Sequence, residues 1–199
     1  MLIANPIYDV VFKRLLENEK VAKFFIGTFL EQDVELLDLQ PQEYTYEGLL
    51  ETKDASLLES LKLKIEERLA IRIFRMDFVA LVRTKEGENK KILIEVQKAQ
   101  DIEDVLRFRR YLAEHYKRED KVGENGEKEV LPITTIYILG FVLPDIPTPC
   151  IKVERQYKDL INSTILDAKS DFVEKLTHDS FVVQVNRIGE RYQTRLDKL

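Results

Sequence analysis

Two carboxylates and one amide in the stretch 68–98 stand where chemistry could use them. Asp77 lies in the run RLAIRIFRMDFVALVRT, Glu95 and Gln97 lie in KILIEVQK, and KEGENK separates the two. Both runs place β-branched and aromatic residues on both faces (Ile71, Ile73, Phe74, Phe78, Val79 and Val82; Ile92, Leu93, Ile94 and Val96). That is the pattern of strands inside a covered sheet rather than at a solvated edge. Gly87 can take the left-handed conformation that closes a three-residue loop, Lys85-Glu86-Gly87. With Glu86 at the centre, Asp77 faces Glu95, Arg75 faces Gln97 and Val79 faces Leu93, all on one side of the sheet. A two-residue loop would shift the pairing by one and set Asp77 against Lys98, an ordinary ion pair.

Side chains directly opposed across a ladder have Cβ atoms about 4.5–5.5 Å apart, and like charges so placed repel. A buried carboxylate without a partner costs several kcal/mol or takes up a proton. The Asp77–Glu95 pair therefore calls for a cation. A divalent metal is one answer and Arg75, on the same face, is the other. Hard oxygen ligands from Asp77, Glu95 and a backbone carbonyl near Val96 suit Mg²⁺ or Mn²⁺ rather than zinc.

The order Asp, hairpin, Glu-x-Gln, helix sits within a longer string. It comprises Asp9-Val-Val-Phe12-Lys13, then Asp77, then Glu95-Val-Gln97, then Arg109-Arg110-Tyr111. The string resembles the PD-(D/E)XK nuclease family transposases, also called recombination-promoting nucleases, over roughly residues 5 to 195. The resemblance implies a restriction-endonuclease-like core and a metal-dependent DNA endonuclease associated with transposition or recombination. It makes DNA the partner, a homodimer a possible assembly, and Asp9 a helix-borne carboxylate near the site. Blandly read, Asp9 complements a helix dipole and Lys13 is its solvated partner. Met76 stands where the superfamily has Pro, and Gln97 where it has Lys. Gln97 can hydrogen-bond a water but brings no charge, so the missing charge falls to Lys98, Lys13 or Arg75, with Arg75 the first choice. A nuclease fold that binds DNA or protein without cutting is the competing reading.

The elements that must position these groups can be read along the chain. Asn5-Pro6 opens a helix running through Leu16, and a second helix runs from Glu19 to about Gln32 with Phe24, Phe25 and Phe29 as core. A strand follows from Val34 towards Thr45, interrupted by Pro41. Residues 48–67 fit no single period and read as an insertion. From Asp101 a helix carries an apolar face of Ile102, Val105, Leu112 and Tyr116; its Arg107, Arg109 and Arg110 read either as a solvated basic side or, straight after the carboxylate strand, as groups to hold a phosphate. His115 reads as a surface residue, and Lys117 to Lys128 as an exposed, mobile loop. Leu131 to Leu143 is a third buried strand, parallel to that of Glu95 across the helical crossover. Cys150 to Tyr157 and Phe181 to Asn186 are further strands, with a short helix or an irregular connection at Ser170 to Leu176 between them. His178, at a strand start, suits local hydrogen bonding. The helix from Ile188 to Leu199 stops mid-pattern, as a truncated domain would.

At 199 residues the chain is long enough for one domain with a substantial core. With 34% charged residues and a net charge of −5, it is not a basic nucleic-acid-coating protein, though a local basic surface remains compatible with an acidic metal site. A single cysteine excludes a disulfide framework and Cys/His zinc spacing. No apolar run spans a membrane and no signal peptide opens the chain, so a cytoplasmic location is expected. The fold expected is α/β, a mixed central sheet flanked by helices.

Overall fold

The computed structural model of the protein describes residues 9–40, 78–98, 100–122 and 127–188, all within one compact unit. The expectations for Asn5-Pro6, for the strand beyond Gln40, for the insertion 48–67 and for the helix from Ile188 to Leu199 fall mostly or wholly outside the described residues.

Helix α1 (Asp9–Leu16) leads into α2 (Glu19–Leu30). The Asn18 side chain caps α2 by accepting from the Lys20 and Val21 amides at 3.1 and 3.3 Å. Glu31, at φ 56°, ends it in the left-handed region. Strand β1 (Val34–Gln40) follows, then β2 (Phe78–Thr84), β3 (Asn89–Gln97) and helix α3 (Ile102–Tyr116). Beyond α3 come β4 (Asp120–Val122), β5 (Glu127–Glu129), β6 (Ile133–Leu139) and β7 (Cys150–Val153). The short strands β8 (Tyr157–Lys158) and β9 (Ile165–Leu166), helix α4 (Asp171–Leu176) and β10 (His178–Gln184) complete the described chain, apart from a 3₁₀ turn at Val185–Arg187.

Six strands form one mixed sheet in the order β1-β2-β3-β6-β10-β7. Its centre, β3-β6-β10, is parallel, and antiparallel strands flank it on both sides. The fold is thus mixed α/β, and the parallel pairing of β3 with β6 is the one expected of a helical crossover.

Period-two alternation divides the sheet into two unlike faces. On one, Ala80, Val82, Ile92, Ile94, Val96, Ile136, Ile138, Phe181 and Val183 pack against Phe12 and Leu16 of α1 and Ala22, Ile26 and Phe29 of α2. Phe12 stands edge-on to both Phe25 and Phe78, with ring centroids 5.5 and 5.9 Å away. The other face carries Lys91, Leu93, Glu95 and Gln97 of β3 and Thr135 and Tyr137 of β6. Helix α3 covers it, with Phe108 against Tyr137 at a centroid distance of 4.5 Å.

Three expectations are corrected under that helix. Its buried seam is Phe108, Tyr111 and His115, whereas Ile102 is 71% exposed and Val105 is exposed too. Arg107 draws the helix onto Glu95, so polar groups on the sheet override the apolar count in setting its phase. His115 is a buried residue, not a surface one. Its carbonyl accepts from the Lys91 ammonium at 3.5 Å. Residues 117–128 do not form an open loop throughout, because β4 and β5 pair as an antiparallel ribbon. Lys91 is only 2% exposed and needs an anion; Asp120 of β4 supplies it at 2.6 Å.

Candidate functional site

The site begins with the hairpin that sets its register. The Gly87 amide donates to the Thr84 carbonyl and the Thr84 amide donates to the Glu88 carbonyl, both at 2.9 Å. Gly87 has φ 87°, a conformation that costs an L side chain energy and glycine almost nothing. The loop is therefore the three-residue one, Lys85-Glu86-Gly87. Phe78 pairs with Ile94, Val79 with Leu93, and so on to Arg83 with Asn89. The two-residue alternative does not hold anywhere along 78–83. Asp77 and Arg75 themselves lie outside the described residues, as do the side chains of Asp9 and Lys13.

Glu95 is 1% exposed and projects beneath α3. Arg107 donates through Nη2 to Glu95 Oε1 at 2.6 Å. The same guanidinium holds Asp104, one turn back on its own helix, through Nη1 at 2.7 Å. Burial works against the charge of Arg107, but the hydrogen bond and charge of Glu95, with Asp104 behind them, hold its pKa above the ordinary arginine range. Tyr137 is the residue beside Glu95 on β6. Burial pushes its phenol up, and the Glu95 charge adds to that against a hydrogen bond with Thr135.

Helix α3 is positioned to make these contacts. Asp101 caps it by accepting from the Glu103 amide at 2.9 Å, and Glu103 and Asp104 complement the positive end of its dipole. Asp104 therefore serves the helix terminus and steers Arg107 at the same time.

The other expected site residues divide. Gln97 is buried on the Glu95 face, and its carbonyl accepts from the Gly140 amide at 2.8 Å. Val96 turns its side chain into the core on the opposite face. Lys98 is exposed, just past the end of β3. Arg109 and Arg110 are exposed on α3. Arg107 was expected beside them as a phosphate ligand, but here it turns inward to Glu95 and Asp104. Sequence reasoning missed Asp104 and Tyr137. The spacing of Asp104 and Arg107 on one helix was a usable signal; the proximity of Tyr137 follows only from the parallel register.

No family model, curated protein or solved structure matches this chain.

For a hard divalent cation the described residues offer Glu95, a carboxylate that is already paired. Glu95 is a buried carboxylate with a positive group already against it, and that group is shared with a second carboxylate, Asp104. The guanidinium occupies the electrostatic role a metal ion would take. Among the described residues no three His, Cys, Asp or Glu side chains come together as a metal-holding group.

Proposed function

We propose that the protein is a metal-dependent DNA endonuclease on a restriction-endonuclease-like core. The observation that supports this reading is the hairpin register over 78–83; if it continued one residue further, Asp77 would lie across from the buried Glu95. Asp77, Glu95 and the Val96 carbonyl would hold Mg²⁺ or Mn²⁺. When bound, such an ion activates a water and offsets charge on the phosphate as the phosphodiester breaks. Gln97, buried beside Glu95, hydrogen-bonds and orients that water. Arg109 and Arg110 lie exposed on the helix that covers this face and hold the DNA backbone through charge-assisted contacts. Charge that Gln97 lacks comes from Arg75, with Lys98 and Lys13 as the other sources and Asp9 as an outlying carboxylate.

Supercoiled plasmid incubated with the protein and Mn²⁺ should be nicked and linearised, and the Asp77→Ala protein should leave it intact. Equal cleavage by both would remove Asp77 from the reaction.

One observation favours a second reading. Arg107 neutralises Glu95, a role the competing reading gave to Arg75, and a carboxylate so paired suits a nuclease fold that binds DNA or protein without cutting. Thermal melts separate the two. If Mg²⁺ or Mn²⁺ binds, a concentration about a hundredfold above Kd adds about 2.7 kcal/mol by mass action. If Arg107 permanently closes the site, the melting temperature does not move with metal.

A further inference from the structure

We propose that the arm between Cys150 and Leu176 is the contact surface of a homodimer, in which the apolar tip of each copy seats on α4 of the other. The proposal goes beyond the endonuclease reading and does not depend on it.

This stretch holds large apolar side chains out to solvent. Leu160 and Ile161, at the turn between β8 and β9, are 85% and 93% exposed, and Ile165 and Leu166 of β9 are exposed too. Helix α4 buries none of its residues, and its exposed Phe172 and Leu176, four apart, share one face. An apolar tip is unusual where Gly, Asn, Asp or Ser ordinarily make the turn. The turn is nonetheless well defined. The Asp159 carboxylate accepts from the Ile161 and Asn162 amides at 2.8 and 3.3 Å and from the Asn162 side chain at 2.6 Å. The Asp159 amide donates to the Thr164 carbonyl at 2.8 Å. At the root of the arm, Arg155 donates to Asp179 of β10 at 2.8 Å and to Glu174 of α4 at 2.5 Å. The Tyr157 hydroxyl donates to Glu174 as well, at 2.6 Å. Polar bonds thus shape the arm without using its apolar side chains, so docking them orders little further chain.

Charge, area and symmetry select a second copy as the occupant. From Cys150 to Leu176, five Lys or Arg residues are interspersed with five Asp or Glu residues, a neutral stretch in a chain of net charge −5. It offers no positive excess to a phosphate polymer or an anionic bilayer. Mixed signs do let it meet a copy of itself with opposite charges opposed. The six apolar side chains present on the order of 600 Å², against about 800 Å² of all surface that each partner buries in a standard interface. Tip and receiving helix belong to one chain, so a two-fold axis makes the contact twice and closes the assembly at two. Strand β7, from which the arm departs, pairs with β10 alone among the described strands, so a copy approaches an open side of the sheet.

Sedimentation equilibrium of the full chain tests this. The parent should be dimeric at micromolar concentration. Leu160→Ser combined with Ile161→Ser, at two highly exposed positions, should weaken association at least about a hundredfold with the far-UV circular dichroism unchanged. Phe172→Ser, on the receiving helix, should weaken it from the other side of the contact and provides the answer if the tip variant does not fold. Mixing the tip variant with Phe172→Ser should recover part of the association, because one of the two contacts is then intact. A dimer that both variants leave unchanged, or no recovery on mixing, would overturn the seating of tip on α4. A monomeric parent would overturn the dimer, and its co-sedimentation with phosphatidylcholine vesicles would assign the tip to a bilayer instead.

Discussion

Glu95 and Arg107 form an ion pair largely withdrawn from water, where each charge loses hydration that the partner helps to restore. The two side chains should therefore behave as a unit. A double-mutant cycle with Glu95→Gln and Arg107→Met, followed by urea unfolding, should give a coupling energy of about 1–3 kcal/mol. Values near zero would mean that the contact contributes nothing specific. His115 provides a second test at this scale. Burial, reinforced by the nearby charges of Lys91 and Arg118, lowers its pKa from 6.5 to about 3. The folded state thus keeps the ring neutral while the unfolded chain protonates it below about pH 6.5. Its contribution is complete above that value and drains away as the pH falls towards 3. Asp120 works in the opposite sense: burial raises its carboxyl pKa from 3.8 despite Lys91, so acid relieves part of its cost. The urea midpoint should drop between pH 7 and pH 4, and His115→Gln should flatten that drop. Glu95 could be located from sequence because strand alternation and a turn glycine are local signals. Arg107 could not, because its direction depends on the rotational phase of a helix, and that phase was misjudged from the apolar residues Ile102 and Val105.

At the scale of elements, the β2–β3 hairpin and α3 contrast in what their sequences specify. The hairpin's alternation and Gly87 agree with each other, so register and loop length were both readable in advance. A Cβ added at Gly87 would meet no atom within 4 Å, so replacing it costs backbone conformation alone. Gly87→Ala should lower stability by about 1–2 kcal/mol with the m-value unchanged. Asn18 followed by Glu19 is a recognisable helix start, and Asn18 caps α2. Asn18→Ala should cost about 1 kcal/mol in the same assay. Helix α3 carries apolar residues on more than one side, so composition alone could not choose the buried one. The β4–β5 ribbon was missed for a related reason. Its residues are charged and turn-like, and what holds β4 against the body is the need of Lys91, far away in sequence, for an anion.

For the whole molecule, the mixed sheet with helices on both faces was legible because apolar strands and a helical crossover leave few topologies open. Within the described residues, no helix is long and apolar enough to cross a membrane. The order of pairing carries a consequence for biosynthesis. Strand β3 closes with β2 as soon as both have been made, yet its other edge, the backbone groups of Lys91, Leu93, Glu95 and Gln97, waits for β6. A nascent chain that has released β3 but not residues 133–139 therefore displays those backbone groups beside a finished hairpin, a margin open to pairing with a neighbouring polypeptide. Slowing translation through α3 prolongs that exposure, and the yield of soluble protein should fall with it.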